Sequence, residues 1–305
     1  MRRTSQTVLH VQNAVDKGKR RNFTWPLVVS ALGFVGLWGL LEPYHLATGR
    51  YTVTLPRLPS RWKGKRVALI SDLHVGMRFA NTATVKRAVQ QIVEECPEVV
   101  LIAGDFIHGE SEGVLEQVAT LLSPLTEAGL ACYAVLGNHD YDMPEENSEK
   151  SNALAGRLER RLESIGIRVL HNEVVKLSSD PDPFYLVGLG AHTPDKDGPT
   201  KTIAKVPKEA ARLVLVHHPN SFASLLPHSA PLAFAGHTHG GQVCLPGAPI
   251  WRFFGKRHED EVLTSGWIKH YGAEGNNLYV TRGIGFSVAP VRLNCPPELT
   301  FFTLT

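Results

Sequence analysis

The stretch "RVALISDLH", residues 66–74, joins a short apolar run to two side chains of the types that bind metals. The run "RVALIS", Arg66 to Ser71, has the length and composition of a buried strand. Asp72 and His74 follow at its carboxyl end, and a spacing of two puts both side chains on one face of an extended segment. The same order, a buried strand that ends in metal-binding residue types, recurs along the chain.

The chain around this stretch alternates between strands and helices. Predicted strands cover residues 66–71, 98–104 and 131–137, and predicted helices cover residues 84–95 and 114–125. This alternation is typical of an α/β domain. After a further predicted helix over residues 152–164, strands dominate, and the packing that buries them places two sheets face to face with helices outside.

Metal-binding residue types stand at the ends of five predicted strands. Beyond Asp72 and His74, they are Asp105, Asn138, His217, His237 and His239. The carboxyl ends of strands in such sheets form the crevice where ligands bind. Imidazoles, carboxylates and an amide oxygen suit divalent or trivalent ions of Mn, Fe or Zn, and seven ligands are too many for one ion and about right for two.

Each of these motifs has a structural alternative when it is taken alone. An Asp-x-His or Gly-Asp pair is common in turns, and "NHD", residues 138–140, also fits a helix cap. The net charge of +3 does not indicate nucleic-acid binding, and the four scattered cysteines suggest neither a disulfide framework nor a zinc knuckle. The ordered recurrence at five strand ends favours the metal site.

The ordered set "SDLH", "GDF", "GNHD", "HHP" and "GHTHGGQ" resembles the metallophosphoesterase (calcineurin-like phosphoesterase) superfamily over residues 66–305. The ending "LYVTRGIGFSVAPVRLNCPPELTFFTL" resembles a bacterial, membrane-associated branch of it, the YaeI/YkuE-like phosphodiesterases. The resemblance implies an α/β fold, a four-layer α/β/β/α sandwich, with a binuclear metal centre at the strand ends. Two positions depart from the family pattern, since His108 and His192 stand where relatives often have acidic residues.

The resemblance also implies how the site residues divide their roles. One ion would be held by Asp72, His74 and His239, the other by Asn138, His217 and His237, and Asp105 would bridge them. His139 would be a catalytic group near the leaving group, oriented by Asp140, and His218 would be a neighbour of the site. In this chemistry a hydroxide shared by the two metals attacks phosphorus, and Arg282 is a candidate for substrate binding.

The N-terminal residues differ from the rest of the chain. A basic tail (1–22) precedes a charge-free apolar run (23–41), and a linker (42–65) leads to the catalytic domain (66–305). The run is long enough for a single-pass transmembrane helix. The alternatives are a core helix and a twin-arginine export signal at "RRNF", and the lack of an A-x-A cleavage site favours a retained anchor. Basic residues close before the run favour a cytoplasmic tail and an external catalytic domain.

Together these features predict a metal-dependent hydrolase of a phosphodiester or pyrophosphate bond in a membrane-associated or lipid-linked substrate. The alternative for a domain that faces the cytoplasm is a UDP-2,3-diacylglucosamine pyrophosphatase of lipid A synthesis. A second alternative is a metal-stabilised membrane scaffold without catalysis. Such proteins usually lose ligands, and none is missing from this sequence.

Overall fold

Two six-stranded sheets carry the metal-binding motifs of the chain. They are seen in a computed structural model that describes residues 24–79, 81–141, 149–178, 182–190, 198–245, 248–252, 264–268 and 271–305. The predicted basic tail, Phe23 and His192 lie outside the described residues.

The first sheet is mainly parallel and contains the strand of the opening motif. Its strands are β1 (Ala47–Val53), β2 (Arg66–Ile70), β3 (Val99–Ile102), β4 (Ala131–Ala134), β5 (Arg168–Val169) and β14 (Glu298–Leu304). They lie in the order β1-β14-β2-β3-β4-β5, with β2 to β5 parallel and β14 antiparallel to β2. The carboxyl ends of β2, β3 and β4 therefore meet at one edge of the sheet.

Three helices cover the outer face of this sheet, namely α2 (Thr82–Glu95), α3 (Glu112–Glu127) and α4 (Glu149–Ser164). Apolar side chains at helical spacing in α2, Val85, Val89 and Ile92, are buried against the sheet. Helix α3 begins after Ser111, whose hydroxyl accepts a hydrogen bond from the Val114 amide and caps the first turn. The three helices predicted from the sequence are present, each somewhat longer than predicted.

The second sheet carries the histidine motifs of the second half of the chain. Its strands are β6 (Glu173–Lys176), β7 (Phe184–Gly188), β8 (Ala211–Leu215), β9 (Ala233–Ala235), β12 (Gly266–Ile268) and β13 (Leu278–Val280). Their order is β12-β13-β9-β8-β7-β6, with the four inner strands parallel and the two edge strands antiparallel. A short hairpin of β10 (Cys244–Leu245) and β11 (Ala248–Arg252) follows the last histidine motif.

Apolar side chains between the two sheets form the central core. Leu69 and Leu101 of the first sheet share one buried cluster with Leu213 and Phe234 of the second. Helices α2 to α4 cover the outside of the first sheet, while α5 (Gly198–Ile203) and a short 3-10 helix (Pro219–Ser224) cover the outside of the second. The layers follow the order helix, sheet, sheet, helix, so the predicted four-layer sandwich is confirmed.

The predicted linker over residues 42–65 contains an edge strand of the first sheet. Strand β1 pairs in parallel with β14 along its whole length, from Ala47 opposite Glu298 to Val53 opposite Leu304. Polar residues and glycine dominate "ATGRYTV", and its partner lies at the far end of the chain. The local sequence therefore gives little indication of a strand there, although tertiary pairing forms one.

Helix α1 (Thr24–Leu41) is apolar and largely exposed. The exposed fractions of Leu27, Leu32 and Phe34 are 64%, 66% and 68%, so these side chains do not pack in a protein core. The alternative of a core helix is therefore wrong for the described part of this segment. By length and composition, α1 is suited to cross a membrane.

The carboxyl end of α1 is attached to the loop that precedes β14. The Gly39 carbonyl accepts a hydrogen bond of 2.9 Å from the Arg292 amide. The buried Glu42 carboxylate accepts hydrogen bonds from the amides of Asn294 at 3.0 Å and Cys295 at 2.6 Å. Because buried amides require an acceptor, Glu42 holds this loop against the start of the domain.

We expect Glu42→Ala to lower the free energy of unfolding by about 2–4 kcal/mol, because it leaves two backbone amides without their acceptor. Glu98→Ala is the matched control, since Glu98 is exposed and pairs only with Lys65 among the described residues. Urea unfolding in detergent, followed by circular dichroism, measures both changes. Equal losses in the two variants would contradict the role assigned to Glu42.

Candidate metal centre

The carboxyl ends of five parallel strands bring the predicted ligands together. Strands β2, β3 and β4 are followed by Asp72 and His74, by Asp105, and by Asn138, while β8 and β9 are followed by His217 and by His237 and His239. All seven side chains therefore converge on one crevice between the sheets. Six of them are buried, and His237 is half-buried.

The first group consists of Asp72, His74, Asp105 and His239, whose ligand atoms all lie within 4.8 Å of one another. The Nε2 atoms of His74 and His239 are 3.0 Å apart, and His239 Nε2 lies 3.8 Å from Asp72 Oδ1. Asp72 Oδ1 also accepts a 2.9 Å hydrogen bond from the His237 amide, which ties the end of β2 to the end of β9. Two imidazoles and two carboxylates form a donor set suited to a first-row metal ion.

The second group surrounds His217. Its Nε2 atom lies 3.0 Å from Asn138 Oδ1, and its ring centroid is 5.1 Å from that of His237. The Nδ1 atom of His217 is 2.6 Å from the Ala103 carbonyl oxygen. This contact orients the ring so that Nε2 can bind a metal ion. Nitrogen atoms of His217, His218 and His237 lie within 4.8 Å of one another, so His218, expected only as a neighbour, is also placed to bind an ion.

Asp105 lies between the two groups. Its Oδ2 atom is 3.5 Å from His74 Nε2 and 3.3 Å from His217 Nε2. Its Oδ1 atom accepts a 2.9 Å hydrogen bond from the His139 amide, whereas the buried Oδ2 atom has no hydrogen-bond donor among the described residues. A buried carboxylate oxygen without a donor is costly unless a cation compensates it. The donor types and this oxygen therefore fit a metal centre.

The backbone at the ligands adopts an uncommon conformation. Positive φ angles occur at Asp72 (52°), His74 (46°), Asp105 (55°), His237 (73°) and His239 (50°). Non-glycine residues rarely adopt this left-handed conformation, and where they do, the surrounding structure usually enforces it at a functional site. The extended geometry expected for the Asp-x-His pair is therefore wrong, because left-handed turns direct these side chains into the crevice.

Two glycines allow the turns after β3 and β4 to approach closely. A Cβ atom at Gly137 would lie 2.1 Å from Asp105 Oδ1, and one at Gly104 would lie 2.7 Å from His217 Nδ1. Both distances are far below van der Waals contact, so a larger residue at either position would displace a candidate ligand.

The ionised carboxylate of Asp105 and the neighbouring imidazoles shift one another's pKa values. Burial opposes the charge of its carboxylate, but the neighbouring imidazoles, chiefly His217, outweigh burial and hold its pKa well below the usual range. Burial likewise opposes charge on His217, but the Asp105 and Asp72 carboxylates raise the pKa of His217 to about 9. Burial lowers the pKa of His74 to about 3 and raises that of Asp72 to about 7. The site therefore favours an ionised Asp105 and a neutral His74, the forms that bind metals.

Comparison with known proteins agrees with this geometry. Residues 65–241, more than half of the 305-residue chain, match the calcineurin-like phosphoesterase family. The chain belongs to this family. It is therefore a metal-dependent phosphoric ester hydrolase, and the predicted fold and enzyme class are both confirmed.

Three relatives place this phosphoesterase in the YaeI-like branch of the family. Phosphodiesterase YaeI of Escherichia coli (strain K12) is 31% identical, with 78% of this chain and 82% of the relative covered. The metallophosphoesterase YkuE of Bacillus subtilis (strain 168), described as uncharacterized, is 28% identical, with 90% and 91% covered. UDP-2,3-diacylglucosamine pyrophosphatase LpxG of Chlamydia trachomatis serovar D is 26% identical, with 85% and 89% covered.

Asp140 supports the backbone of the phosphoesterase site. Its carboxylate accepts hydrogen bonds from the amides of Asp105 at 3.0 Å, Phe106 at 2.8 Å, Ile107 at 3.2 Å and Gly137 at 2.8 Å. These bonds fix the turns after β3 and β4, from which two candidate ligands project. The expected contact with the His139 ring is not among the described contacts of Asp140, so its carboxylate positions ligands instead.

Arg282 packs beside Gly240, the residue after His239, and His108 lies near His74 and His139. Arg282 Nε donates to Glu298 Oε2 at 3.2 Å, and about a quarter of the Arg282 side chain is exposed. His108 is exposed, with its ring centroid 5.6 Å from that of His139 and 6.3 Å from that of His74. The position that is often acidic in the family therefore presents an imidazole at the edge of the crevice.

Two polar side chains outside the predicted site hold the loop between β13 and β14. The guanidinium of the fully buried Arg292 donates to the carbonyls of Arg282 at 2.8 Å, Cys295 at 2.9 Å and Gly285 at 3.0 Å. Gln242 bonds the Ser287 amide and carbonyl at 2.7 Å and 2.9 Å. Both residues belong to motifs visible in the sequence, but only the fold shows which backbone groups they contact.

We expect Asp105→Ala to remove one or both metal ions, because the variant lacks the oxygen that lies between the two donor groups. Elemental analysis of purified protein measures the metal content. Asp182→Ala is the control, since Asp182 is an exposed aspartate outside the candidate ligands, and it should retain the wild-type metal content. An unchanged metal content in Asp105→Ala would contradict the central position of this carboxylate.

Metal binding is expected to release protons at pH 6. At this pH the metal-free site holds protons on Asp72, whose pKa is about 7, and on His217, whose pKa is about 9. Both must be deprotonated to bind an ion, so the apparent affinity should rise from pH 6 to pH 8 as Asp72 ionises and the deprotonated fraction of His217 grows. Calorimetric titration with Mn²⁺ in buffers of different ionisation enthalpy measures the release. Heats at pH 6 that do not depend on the buffer would contradict it.

Proposed function

We propose that this phosphoesterase uses two metal ions to hydrolyse a phosphodiester or pyrophosphate bond in a lipid-linked substrate. The position of Asp105 Oδ2, 3.5 Å from His74 Nε2 and 3.3 Å from His217 Nε2, carries the two-metal assignment. A carboxylate oxygen between two donor groups can be shared by two ions, whereas a single ion would leave one group unused. The names Phosphodiesterase YaeI and UDP-2,3-diacylglucosamine pyrophosphatase LpxG support the two bond types.

Each ion would have its own ligands and would share Asp105. One ion would be held by Asp72, His74 and His239, and the other by Asn138, His217 and His237. Bound Mn, Fe or Zn ions would neutralise charge on the phosphate oxygens and lower the pKa of a bound water molecule. The geometry of the described residues supports this division, because the first three lie together in one group and His217 contacts Asn138 in the other.

His139 is proposed to act at the leaving oxygen. Its ring centroid lies 4.8 Å from that of His74, so the imidazole borders the ligands, while its amide binds Asp105 Oδ1. Burial lowers the pKa of His139, and a bound phosphate anion would raise it again by favouring the charged form. The protonated ring can then donate a proton to the departing oxygen. Arg282, at the edge of the crevice, would contact the substrate.

The exposed helix α1 supports a substrate at the membrane. As an apolar helix whose described side chains are largely exposed, α1 would anchor the chain as a single-pass span. The basic residues Lys17, Lys19, Arg20 and Arg21 precede the span, which favours a cytoplasmic tail and an external catalytic domain. A phospholipid or a cell-wall phosphodiester fits this location.

The alternative substrate is UDP-2,3-diacylglucosamine, after the similarity to LpxG. This nucleotide-linked lipid is made on the cytoplasmic side, so an external domain would exclude it. A fusion reporter at the carboxyl terminus discriminates between the two locations. A scaffold without catalysis is disfavoured, because all seven candidate ligands are present and lie in one crevice.

Chelator-treated protein reloaded with Mn²⁺ is expected to hydrolyse an aryl phosphodiester, and the apoprotein is not. Release of the aryl alcohol measures the rate. A screen of lipid extracts, with mass spectrometry of the products, then identifies the substrate. An absence of turnover by protein shown to contain metal would contradict the proposed function.

His139→Ala is expected to retain its metal ions and to lose about 10²- to 10⁴-fold in kcat, the usual contribution of a general acid. Elemental analysis and aryl phosphodiester hydrolysis are measured on the same preparation. His228→Ala is the control, because His228 is exposed and no candidate ligand contacts it. If His139→Ala loses metal instead, the residue is a ligand and not a proton donor.

A further inference from the structure

Two exposed apolar residues lie on loops that border the metal centre. Outside α1, the described residues include three large apolar side chains that are more than half exposed, namely Phe79 (68%), Leu226 (59%) and Val288 (76%). Phe79 and Val288 also adopt positive φ angles of 65° and 59°, which are rare for aromatic and β-branched residues. The exposure of apolar side chains to water on loop tips is unfavourable, and such side chains are suited to contact another apolar surface.

The loop of Phe79 is attached to the end of α1. Two residues after Phe79, the Asn81 side chain donates hydrogen bonds to the Pro43 carbonyl at 3.1 Å and to the Ile284 carbonyl at 2.6 Å. Pro43 lies two residues after the end of α1, so Asn81 joins the loop to the segment that follows the helix. Phe79 precedes Asn81 by two residues, so at about 3.5 Å per residue it is separated from this junction by at most about 7 Å.

The loop of Val288 is attached to the same end of α1. Val291 packs against Gly39, and the neighbouring Arg292 amide donates to the Gly39 carbonyl at 2.9 Å. Val288 precedes Val291 by three residues, which corresponds to about 11 Å of extended chain. The carboxyl end of α1 is therefore attached to two loops that each present one exposed apolar tip.

The same two loops continue directly into the metal centre. His74 precedes Phe79 by five residues. On the other loop, the Gly285 amide donates to the Asp72 carbonyl at 2.6 Å, three residues before Val288. The apolar tips are therefore joined to candidate ligands of the first group by only a few residues of chain.

We propose that Phe79 and Val288 form a docking surface that enters the lipid bilayer in which α1 is anchored. This inference rests on the proposed function, because it takes α1 as a membrane anchor. The exposed Trp38 and Tyr44 lie at the same end of α1 and are the residue types that mark the membrane–water interface. Apolar groups at that level enter the bilayer by about 5–10 Å, so the crevice opens onto the lipid headgroups.

Arg78 suits the headgroup level of such a surface. It is exposed, and its guanidinium carbon lies 5.7 Å from the centroid of the Phe79 ring. A guanidinium beside an aromatic ring can stay among the lipid phosphates while the ring enters the apolar layer. Anionic phospholipids would therefore strengthen the contact.

Leu226 supplies a matched control on the opposite side of the domain. Its carbonyl accepts a 2.9 Å hydrogen bond from Asn276, two residues before β13 begins. Leu226 therefore lies near the amino ends of β9 and β13, whereas the metal centre and the end of α1 lie at the carboxyl ends. Its exposure is comparable with that of Phe79, so exposure alone cannot explain a difference between the two.

The test uses full-length protein reconstituted in vesicles of phosphatidylcholine and phosphatidylglycerol. Single cysteines replace Phe79, Val288, Leu226 or Leu32 in a Cys96→Ser background, because Cys96 is the exposed native cysteine. Each is labelled with an environment-sensitive fluorophore, and lipids with a nitroxide on the acyl chain, either near the headgroup for the loop positions or near the chain end for Leu32, serve as quenchers. We expect loss and blue shift of the fluorescence at Phe79→Cys and Val288→Cys, but neither effect at Leu226→Cys.

The Leu32→Cys label reports on α1 itself. If it is quenched while the labels at positions 79 and 288 resemble that at 226, the docking surface is wrong and the anchor stands. If it is not quenched, the anchor and the docking surface are both wrong. Quenching requires neither metal nor turnover, so a protein with quenched tips and no hydrolysis would overturn the proposed function and leave the docking surface in place.

Discussion

The compensation of one buried negative charge, that of Asp105, constrains the arrangement of both sheets. Burial opposes this charge, which follows strand β3 of the first sheet, and the imidazole that chiefly offsets it is that of His217, at the end of strand β8 in the second sheet. Neither sheet supplies both the carboxylate and this imidazole. The sheets must therefore be aligned so that the two strand ends meet at the carboxylate, and this alignment also brings the remaining candidate ligands into the crevice.

The ligands are held in place at a cost in backbone free energy. A left-handed conformation costs roughly 1–2 kcal/mol for a non-glycine residue, and five candidate ligands adopt it. Their combined cost is comparable with the net stability of a whole domain, so the turns require external support. Asp140 supplies it to the turn after β3, which carries Asp105, and Arg292 and Gln242 supply it to the loop beside Asp72.

The sequence predicted those parts of the structure that are local. Short apolar runs identified the inner strands, and the residues after each run supplied the candidate ligands that the fold brings together, because parallel strands end at one edge. Strand β1 was not predicted, since its pairing with β14 joins distant parts of the chain. The contacts of Asp140 were not predicted either, because a carboxylate beside a histidine in sequence gives no sign that it turns toward backbone amides.

The link between α1 and the metal centre is the part of the structure that sequence could least reveal. Glu42, directly after α1, binds the Cys295 amide, and the Cys295 thiol donates to the His239 carbonyl at 3.2 Å. Two hydrogen bonds, through Cys295, thus connect Glu42 at the end of the apolar helix to the candidate ligand His239. A flexible tether would allow the catalytic domain to rotate above a membrane, whereas these buried hydrogen bonds hold the crevice in one orientation relative to α1. Under the proposed function, such an orientation would suit a substrate embedded in the bilayer, because the bond to be cleaved would then lie at a constant height above the membrane.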